Sequence, residues 1–350
     1  MGEAIDVNGT RMWVERHGRG PDVLLIAGLS DPAEAWQAQL DGLADRYRLI
    51  AFDNRGAGRT PLPQGRLSVP LMADDAAALL RALDVPAAHV AGFSGGSLIA
   101  QELALRHPGL VRSLVLMSTF ARSDAYFRAM TGFWRWMVEA APSPRAMLEA
   151  FFLWVYTPRA HADGTVERMI EEALAFPHQQ SVEAFQRQLE AFETHETLDR
   201  LREIAVPTLV LAGEVDRATP PSLGREVAEA ISGAVFEVLQ GRPTSPSRRS
   251  LTSSTPASTP SGERSTGAAE GAVGNRTQVR SCARPARRRR RDGEPPRTRC
   301  ETPDARGRPG ESEHQLTTLA VFTAWRCARG RSGWRWCCPC RTSSASRCRC

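Results

Sequence analysis

Short apolar runs alternate with stretches of helical periodicity over the first two thirds of the chain. Residues 11–18 alternate like a half-exposed strand, and predominantly apolar runs follow at 22–28, 48–54, 89–93, 113–119, 207–213 and 234–240. Apolar residues recur at helical spacing in 71–84, 95–108 and 221–233. Strands that are apolar on both faces are typical of parallel sheets covered by helices on both sides. The pattern therefore predicts an α/β domain with a mostly parallel sheet over residues 1–240.

Residues 119–204 interrupt this alternation. They are almost entirely helix-like, with amphipathic stretches at 126–140 and 147–156, and the strand pattern resumes at Val206. We expect this segment to fold as a helical cap inserted over the edge of the sheet. Its aromatic residues either pack the cap onto the core or line a pocket for an apolar ligand. They are Phe133, Trp134, Trp136, Phe151, Phe152 and Trp154.

Composition changes abruptly after residue 240. Residues 1–240 hold 22 Arg against 31 Asp and Glu, a net charge of −9, whereas residues 241–350 hold 23 Arg against 8 acidic residues, a net charge of +15. The chain has no lysine, and all eight cysteines lie between Cys282 and Cys350. A disulfide framework in the first part is therefore excluded, as is usual in a reducing cytoplasm. We expect a cytoplasmic protein without signal peptide or membrane span, because no suitable apolar run occurs.

One motif in the first part carries chemistry. Residues 91–97, AGFSGGS, contain Gly92-Phe93-Ser94-Gly95-Gly96 between an apolar strand and an amphipathic helix. Small glycines in this context allow a sharp strand-to-helix turn that exposes the serine hydroxyl at the start of the helix. The alternative is a glycine-rich turn with an incidental serine.

With this motif in place, the chain resembles the α/β-hydrolase superfamily over about residues 1–240. Supporting stretches are 24–36, 52–60 (FDNRGAGRT), 105–119 and 198–221. The resemblance implies an α/β-hydrolase fold and a hydrolase that acts on a small molecule without cofactor or metal. It leaves the oligomeric state open.

The resemblance also assigns roles to particular residues. Ser94 would be the nucleophile, and the backbone N–H groups of Gly95 and Leu29 would hold the oxyanion. The chain has Ala27-Gly28 where the family usually has His-Gly, which changes how the loop before Leu29 is anchored.

The acid and the base should follow in that order along the chain. Asp216, just past the 207–213 strand, matches the acid, with Glu214 as the nearby alternative and a surface turn as the non-catalytic interpretation. The histidine base is expected near Pro243–Thr244, and no histidine occurs there. The histidine downstream of Asp216 is His314, about seventy residues further on than the family pattern expects.

The earlier histidines offer weak substitutes. His107 ends a predicted helix and fits a partly exposed capping residue. His195 is expected in the exit helix of the cap, and a role as substitute for the missing base is left open for it.

Two interpretations of residues 241–350 remain open. A disordered basic arm could bind nucleic acid non-specifically through phosphate contacts, although its arginines lack interleaved aromatics and its cysteines lack the paired spacing of a zinc site. Alternatively, the segment results from a shifted reading frame in a GC-rich gene, since the composition changes at one point. If the codon of Pro243 ends in C, reading one base earlier would place a histidine codon across Pro243–Thr244.

These observations predict a serine hydrolase for a small, partly apolar carboxylic ester or lactone, impaired by the missing base. Carbon–carbon bond hydrolysis and perhydrolysis of the haloperoxidase kind are alternatives on the same scaffold, because fold does not fix function. A non-enzymatic protein whose tail recruits nucleic acid is the hypothesis from a different class.

Overall fold

The computed structural model describes residues 2–241. Its centre is a sheet of eight strands: β1 (Gly2–Val7), β2 (Thr10–His17), β3 (Asp22–Ile26), β4 (Arg48–Phe52), β5 (Ala88–Phe93), β6 (Val111–Met117), β7 (Thr208–Gly213) and β8 (Val235–Leu239). Their order across the sheet is β1-β2-β4-β3-β5-β6-β7-β8. The β1–β2 and β2–β4 pairs are antiparallel, and every pair from β4 through β8 is parallel. The predicted α/β architecture is confirmed.

The central strands are buried because apolar layers cover both faces of the sheet. Successive side chains of a strand point to opposite faces, so Leu24 and Ile26 of β3 join one core while Val23 and Leu25 join the other. Four helices flank the sheet: α1 (Gln37–Leu43), α2 (Val69–Ala82), α3 (Gly95–Arg106) and α9 (Pro221–Ala230). Residues of α2, α3 and α9 belong to the first core, and those of α1 to the second.

A helical cap is inserted between β6 and β7, as the sequence predicted. It consists of α4 (Ala125–Ala140), α5 (Pro144–Val155), α6 (Pro158–Ala162), α7 (Thr165–Ala175) and α8 (Val182–Glu193). The cap helices thus occupy 125–193 of the expected 119–204. The flanking segments are connections, the second of which contains a 3-10 helix at Leu198–Glu203. An antiparallel bridge between Arg122 and Glu196 joins them at the base of the cap.

Polar side chains begin most of the cap helices. The side chains of Asp124, Ser143, Thr157 and Ser181 each accept a hydrogen bond from a backbone N–H three residues on. Such caps satisfy donors that the first turn of a helix leaves unpaired. The starts of these helices are therefore encoded locally.

Sequence patterning missed two elements. β1 is an edge strand with largely exposed residues, so it lacks an apolar run. It pairs with β2 through a tight turn in which Asn8 and Gly9 both have positive φ, the conformation that Asn-Gly favours in hairpins. α1 has only seven residues, too short to show a helical period.

The predicted tail, 241–350, lies outside the described residues except for Gly241. Its expected disorder, its cysteines, the reading-frame hypothesis and the nucleic-acid hypothesis all concern that segment. Within residues 2–241, no helix is both long enough and apolar enough to cross a membrane.

Candidate active site

Ser94 occupies a strained turn between β5 and α3. Its backbone has φ +51° and ψ −124°, a conformation that costs a non-glycine residue about 1–3 kcal/mol. The turn is held because the Ser94 N–H donates to the Met117 carbonyl at 2.9 Å and the Ser97 N–H donates to the Ser94 carbonyl at 2.8 Å. Strain that is maintained in this way commonly marks a functional position.

The glycines around Ser94 are required by close contacts. A Cβ on Gly92 would lie 2.4 Å from the carbonyl oxygen of Gly96, and a Cβ on Gly96 would lie 2.2 Å from that of Ile26. A Cβ on Gly95 would lie 2.3 Å from the ring of Phe192, which belongs to the cap. The motif therefore makes a turn that brings β5, α3 and β3 closer than side chains would allow.

The loop after β3 runs directly beside Ser94. A Cβ on Gly28 would lie 3.2 Å from the Ser94 Cβ and 3.3 Å from the Phe93 carbonyl oxygen. Within residues 2–241, the backbone N–H groups of Leu29 and Gly95 donate to no protein acceptor. Leu29, Phe93 and Ser94 line one cavity.

This cavity, of about 680 Å³, lies between the carboxyl ends of the strands and the cap. Its volume falls within the range of small-molecule sites. Trp134, Phe151 and Phe152 line it, which supports the pocket interpretation for these three aromatics. Phe133 and Trp136 are instead exposed on the outside of the cap. The cap thus supplies much of the apolar wall: Trp134, Val138, Met147, Leu148, Phe151, Phe152, Val155, Met169 and Phe185.

Asp216 lies at the same edge of the sheet as Ser94. It follows β7, which is separated from β5 by β6 alone, so the two strands are about 10 Å apart at the usual strand spacing. The Asp216 side chain is buried, and its two carboxylate oxygens accept from the Thr219 N–H and the Thr219 hydroxyl, both at 2.8 Å. Ala218, in the same loop, lines the cavity.

The charge of Asp216 also acts on a neighbouring phenol. Burial raises the pKa of Tyr126, and the Asp216 carboxylate adds to the rise because it disfavours a second negative charge nearby. The Tyr126 hydroxyl donates to the Arg217 carbonyl at 2.6 Å. The first helix of the cap is thereby tied to the loop that carries Asp216.

Glu214, the alternative acid, is placed differently. Its side chain is exposed, and Oε2 accepts from the Gly241 N–H at 2.8 Å. Its own N–H donates to the Leu239 carbonyl at 3.0 Å, extending the pairing of β7 and β8. Glu214 therefore holds the chain where it leaves β8.

Three of the six histidines upstream of Asp216 bear on the missing base. His195 is buried, its Nε2 is 3.3 Å from Thr197 Oγ1, and burial lowers its pKa to about 3 with a smaller contribution from the Arg200 charge. His107 ends α3 with Nε2 2.8 Å from Asp74 Oδ1, which fits the predicted capping role. Of the histidines that the structure describes, His178 lines the cavity with Ser94. No pattern in the sequence signals this, because the loop carrying His178 is placed by docking of the cap.

The polar residues of the cap that reach the loop beside Ser94 were also missed. Gln188, fully buried in α8, accepts a hydrogen bond from the Ser30 N–H at 3.1 Å. Gln180, just before α8, contacts the Ser30 hydroxyl. These contacts join residues about 150 positions apart, so local sequence carries no signal for them. Within the described part of the chain, no group of three or more histidine, cysteine, aspartate or glutamate residues could hold a metal ion.

The chain is similar in sequence to several known proteins. The chain is 35% identical over 223 residues to a protein of Azorhizobium caulinodans named "Putative carbamate hydrolase RutD", a match that covers 64% of this chain and 84% of the relative. It is 36% identical over 224 residues to "Putative non-heme bromoperoxidase BpoC" of Mycobacterium tuberculosis, which covers 61% and 83% respectively.

Solved structures give the same picture. The crystal structure of the enol-lactonase from Burkholderia xenovorans superposes with a TM-score of 0.60 at 26% identity, covering 68% of this chain and 91% of that one. A family model with the description "alpha/beta hydrolase fold" matches residues 21–242 of the chain. The chain therefore belongs to the alpha/beta hydrolase fold family.

Proposed function

We propose that this hydrolase cleaves a small, partly apolar carboxylic ester or lactone through an acyl-enzyme on Ser94. The observation that carries the proposal is the strained serine on an apolar cavity, with two backbone N–H groups beside it that have no protein acceptor within residues 2–241. An enol-lactonase with the same fold supports this substrate class.

In the proposed reaction, Ser94 Oγ attacks the carbonyl carbon and loses its proton to a base. The N–H groups of Leu29 and Gly95 stabilise the negative charge that develops on the carbonyl oxygen. Because these backbone dipoles are already fixed in place, they need not reorganise during the reaction. Collapse expels the alcohol, or the tethered hydroxyl of a lactone, and water then releases the acid from Ser94. Asp216 is the group that orients the base, a role for which its buried, hydrogen-bonded carboxylate is suited.

The base is the missing part of this proposal. The position where it is due, near Pro243–Thr244, lies just past the described residues and carries no histidine. Loss of a triad histidine lowers kcat by about six orders of magnitude, and the oxyanion hole and binding provide the residual rate. We therefore propose that the chain as written is a strongly impaired hydrolase.

Labelling with a fluorophosphonate tests the nucleophile, because the reagent forms a stable adduct with a serine that lies beside an oxyanion hole. Without the base this reaction is slow, so the incubation is prolonged. The full chain is incubated with excess reagent, and the modified residue is identified by peptide mass spectrometry. We expect an adduct on Ser94, none in Ser94→Ala, and unchanged labelling in Ser68→Ala, which removes a hydroxyl that caps α2. An adduct elsewhere, or equal labelling of Ser94→Ala, would refute the assignment.

A second candidate activity is perhydrolysis, favoured by the likeness to a relative named as a bromoperoxidase. Here hydrogen peroxide replaces water in attacking the acyl group on Ser94, which gives a peracid and regenerates the serine. The peracid then oxidises bromide to hypobromite. The test measures bromination of monochlorodimedone in the presence of acetate, hydrogen peroxide and bromide. Bromination that requires acetate and disappears in Ser94→Ala would support this activity over simple hydrolysis.

A further inference from the structure

The carboxylate of Asp31 lies close to the proposed nucleophile. A Cβ on Gly28 would be 3.2 Å from Asp31 Oδ2 and also 3.2 Å from the Ser94 Cβ. These two atoms are therefore at most twice that distance apart. Asp31 lines the cavity with Ser94, and it is the one acidic residue among the described residues that do so. A negative charge is thus placed beside the carbonyl group that Ser94 would attack.

The backbone is anchored on both sides of Asp31. Its own N–H donates to the Gly28 carbonyl at 3.4 Å, which closes a turn over Gly28. The next residue is Pro32, whose ring restricts the chain. Beyond it, the Ala33 N–H donates to Oδ1 of the buried Asp53 at 2.7 Å. These contacts keep the Asp31 side chain at the cavity.

The cavity wall contributes little positive charge. No arginine is among the described residues that line it, although residues 1–240 contain 22 arginines and the chain has no lysine. His178 is the basic side chain found among these lining residues, and it is exposed to solvent. Arg59 lies behind one lining ring, but it pairs with Glu34 and Asp53. The described wall therefore favours a cation over an anion.

Aromatic rings form a continuous part of the same wall. The ring centres of Trp134 and Phe151 are 5.0 Å apart, and those of Phe151 and Phe152 are 6.3 Å apart. Tyr156 extends the row, with its ring centre 5.0 Å from that of Phe152, and all four residues line the cavity. The faces of aromatic rings attract ammonium groups, and quaternary ammonium ligands are commonly bound among several rings. The wall therefore suits an alkylammonium group, which is apolar on its surface and positive in charge.

We infer that Asp31 is a specificity-determining residue and that the site acts on esters or lactones that carry an alkylammonium group. The inference rests on the proposed function, because it takes Ser94 as the residue that attacks the ester. The aromatic wall by itself accepts a neutral apolar group as well, and Asp31 is what favours the cation. Its carboxylate also opposes the negative charge that develops on the carbonyl oxygen, an effect that a substrate cation beside Asp31 offsets.

Three acetate esters of nearly the same shape test the charge preference. They are the acetate esters of choline, of 3,3-dimethylbutanol and of 4-hydroxy-2,2-dimethylbutanoate, which are positive, neutral and negative. Titration calorimetry gives their dissociation constants for the full-length Ser94→Ala chain, which cannot form the acyl-enzyme. We expect the choline ester to bind about tenfold or more tightly than the neutral ester, because a nearby opposite charge and cation–π contacts both favour it. The negative ester should bind more weakly than the neutral one.

Asp31→Asn, added to Ser94→Ala, removes the charge and keeps the size of the side chain. It should abolish most of the preference for the choline ester over the neutral ester. Asp41→Asn is the matched control and should leave the preference unchanged, because Asp41 is exposed on α1 and bonds to Gln37. Equal weakening of all three esters by Asp31→Asn would indicate a structural role and would overturn the inference. A choline ester that binds Ser94→Ala no more tightly than the neutral ester would also overturn it.

A second variant covers the case in which Asp31→Asn does not fold. Phe152→Leu, in the Ser94→Ala chain, keeps an apolar surface at the wall and removes one ring. It should reduce the preference for the choline ester by about threefold, since a cation gains more from an aromatic face than from an alkyl group. An unchanged preference in this variant would contradict the inference.

Hydrolysis is measured separately, so that the proposed function can fail by itself. The native chain is incubated at length with each ester, and the released acetate is compared with that from Ser94→Ala. The residual rate without the base is still about a thousandfold or more above that in water. Faster release from the choline ester than from the neutral ester supports the inference. Release no greater than that from Ser94→Ala would contradict the proposed function, while the dissociation constants would still decide whether Asp31 selects for positive charge.

Discussion

The carboxylate of Glu214 accepts a hydrogen bond from the backbone N–H of Gly241 at 2.8 Å. This contact joins the loop after β7, which carries Asp216, to the chain as it leaves β8. The segment that follows Gly241 therefore begins at the edge of the sheet where Ser94 and Asp216 lie. A histidine introduced soon after Gly241 is therefore attached to the chain at the edge of the sheet where Ser94 and Asp216 lie.

Restoring a histidine after β8 should activate the serine. Pro243→His or Thr244→His is expected to raise the rate of Ser94 labelling by a fluorophosphonate by about a hundredfold or more, the usual contribution of a positioned base. The inactivation rate constant is the measurement. Adding Asp216→Asn should remove most of the gain, because the imidazole would lose the group that orients it.

A native chain that labels as fast as both histidine variants would show that another group already supplies the base. His178, which lines the cavity, would then be the residue to replace. The reading-frame hypothesis has its own test: resequencing codons 238–248 with no insertion or deletion found there would contradict it.

Gly96→Ala should disrupt the turn that carries Ser94. Its Cβ would lie 2.2 Å from the Ile26 carbonyl oxygen and 2.5 Å from that of Ala27, so β3 and α3 must separate. We expect a loss of about 1–3 kcal/mol in the free energy of unfolding, measured by urea denaturation, together with slower Ser94 labelling. Gly132→Ala is the matched control, because a Cβ in that exposed position of α4 meets nothing within 4 Å; it should stabilise by about 1 kcal/mol.

Asp75→Asn should destabilise the domain severely. Asp75 and Arg55 form a buried ion pair, with Arg55 Nη2 2.7 Å from Asp75 Oδ1, and Asn8 Nδ2 donates to the same oxygen at 2.7 Å. Removing one charge leaves the other buried without compensation, which costs about 3–5 kcal/mol. The neighbouring Asp74→Asn removes the charge from more exposed contacts with Arg106 and His107 and should cost about 1 kcal/mol or less. Equal urea midpoints for the two variants would contradict this account.

The buried His195 should make the protein less stable in mild acid. Its pKa in the folded state is lowered to about 3, against about 6.5 in an unfolded chain. Between these values the unfolded state binds a proton that the folded state does not, so stability falls as the pH falls below about 6.5. The loss between pH 7.5 and pH 5 should be about 2 kcal/mol.

His195→Gln lacks this titration, so its free energy of unfolding should depend less on pH over the same interval. Urea denaturation of both chains at the two pH values is the measurement. Parallel pH profiles would mean that His195 is protonated in the folded protein.

Much of the fold follows from local patterns. The apolar runs of β3 to β7 are visible because these strands are covered on both faces, whereas the edge strand β8 is half-buried. The helical period of α2, α3 and α9 marks the side that packs on the sheet. The elements that escaped prediction, β1 and α1, bury too little or are too short to leave such a pattern. Ser94 was found because a sharp turn needs small residues at fixed positions, which the contacts of Gly92 and Gly96 explain.

The sequence by itself determined the alternating α/β architecture, the inserted cap, the serine motif and the absence of a histidine at residues 241–250. Only the tertiary structure decided which aromatics line the cavity, that His178 lies there, that Glu214 holds the chain after β8, and that Gln188 supports the loop of Leu29. The physical reason is that hydrophobic period and turn chemistry act over a few neighbouring residues. Contacts such as that between Ser30 and Gln188 form only when the cap packs on the sheet. They join residues that are far apart in the sequence, so they leave no local pattern.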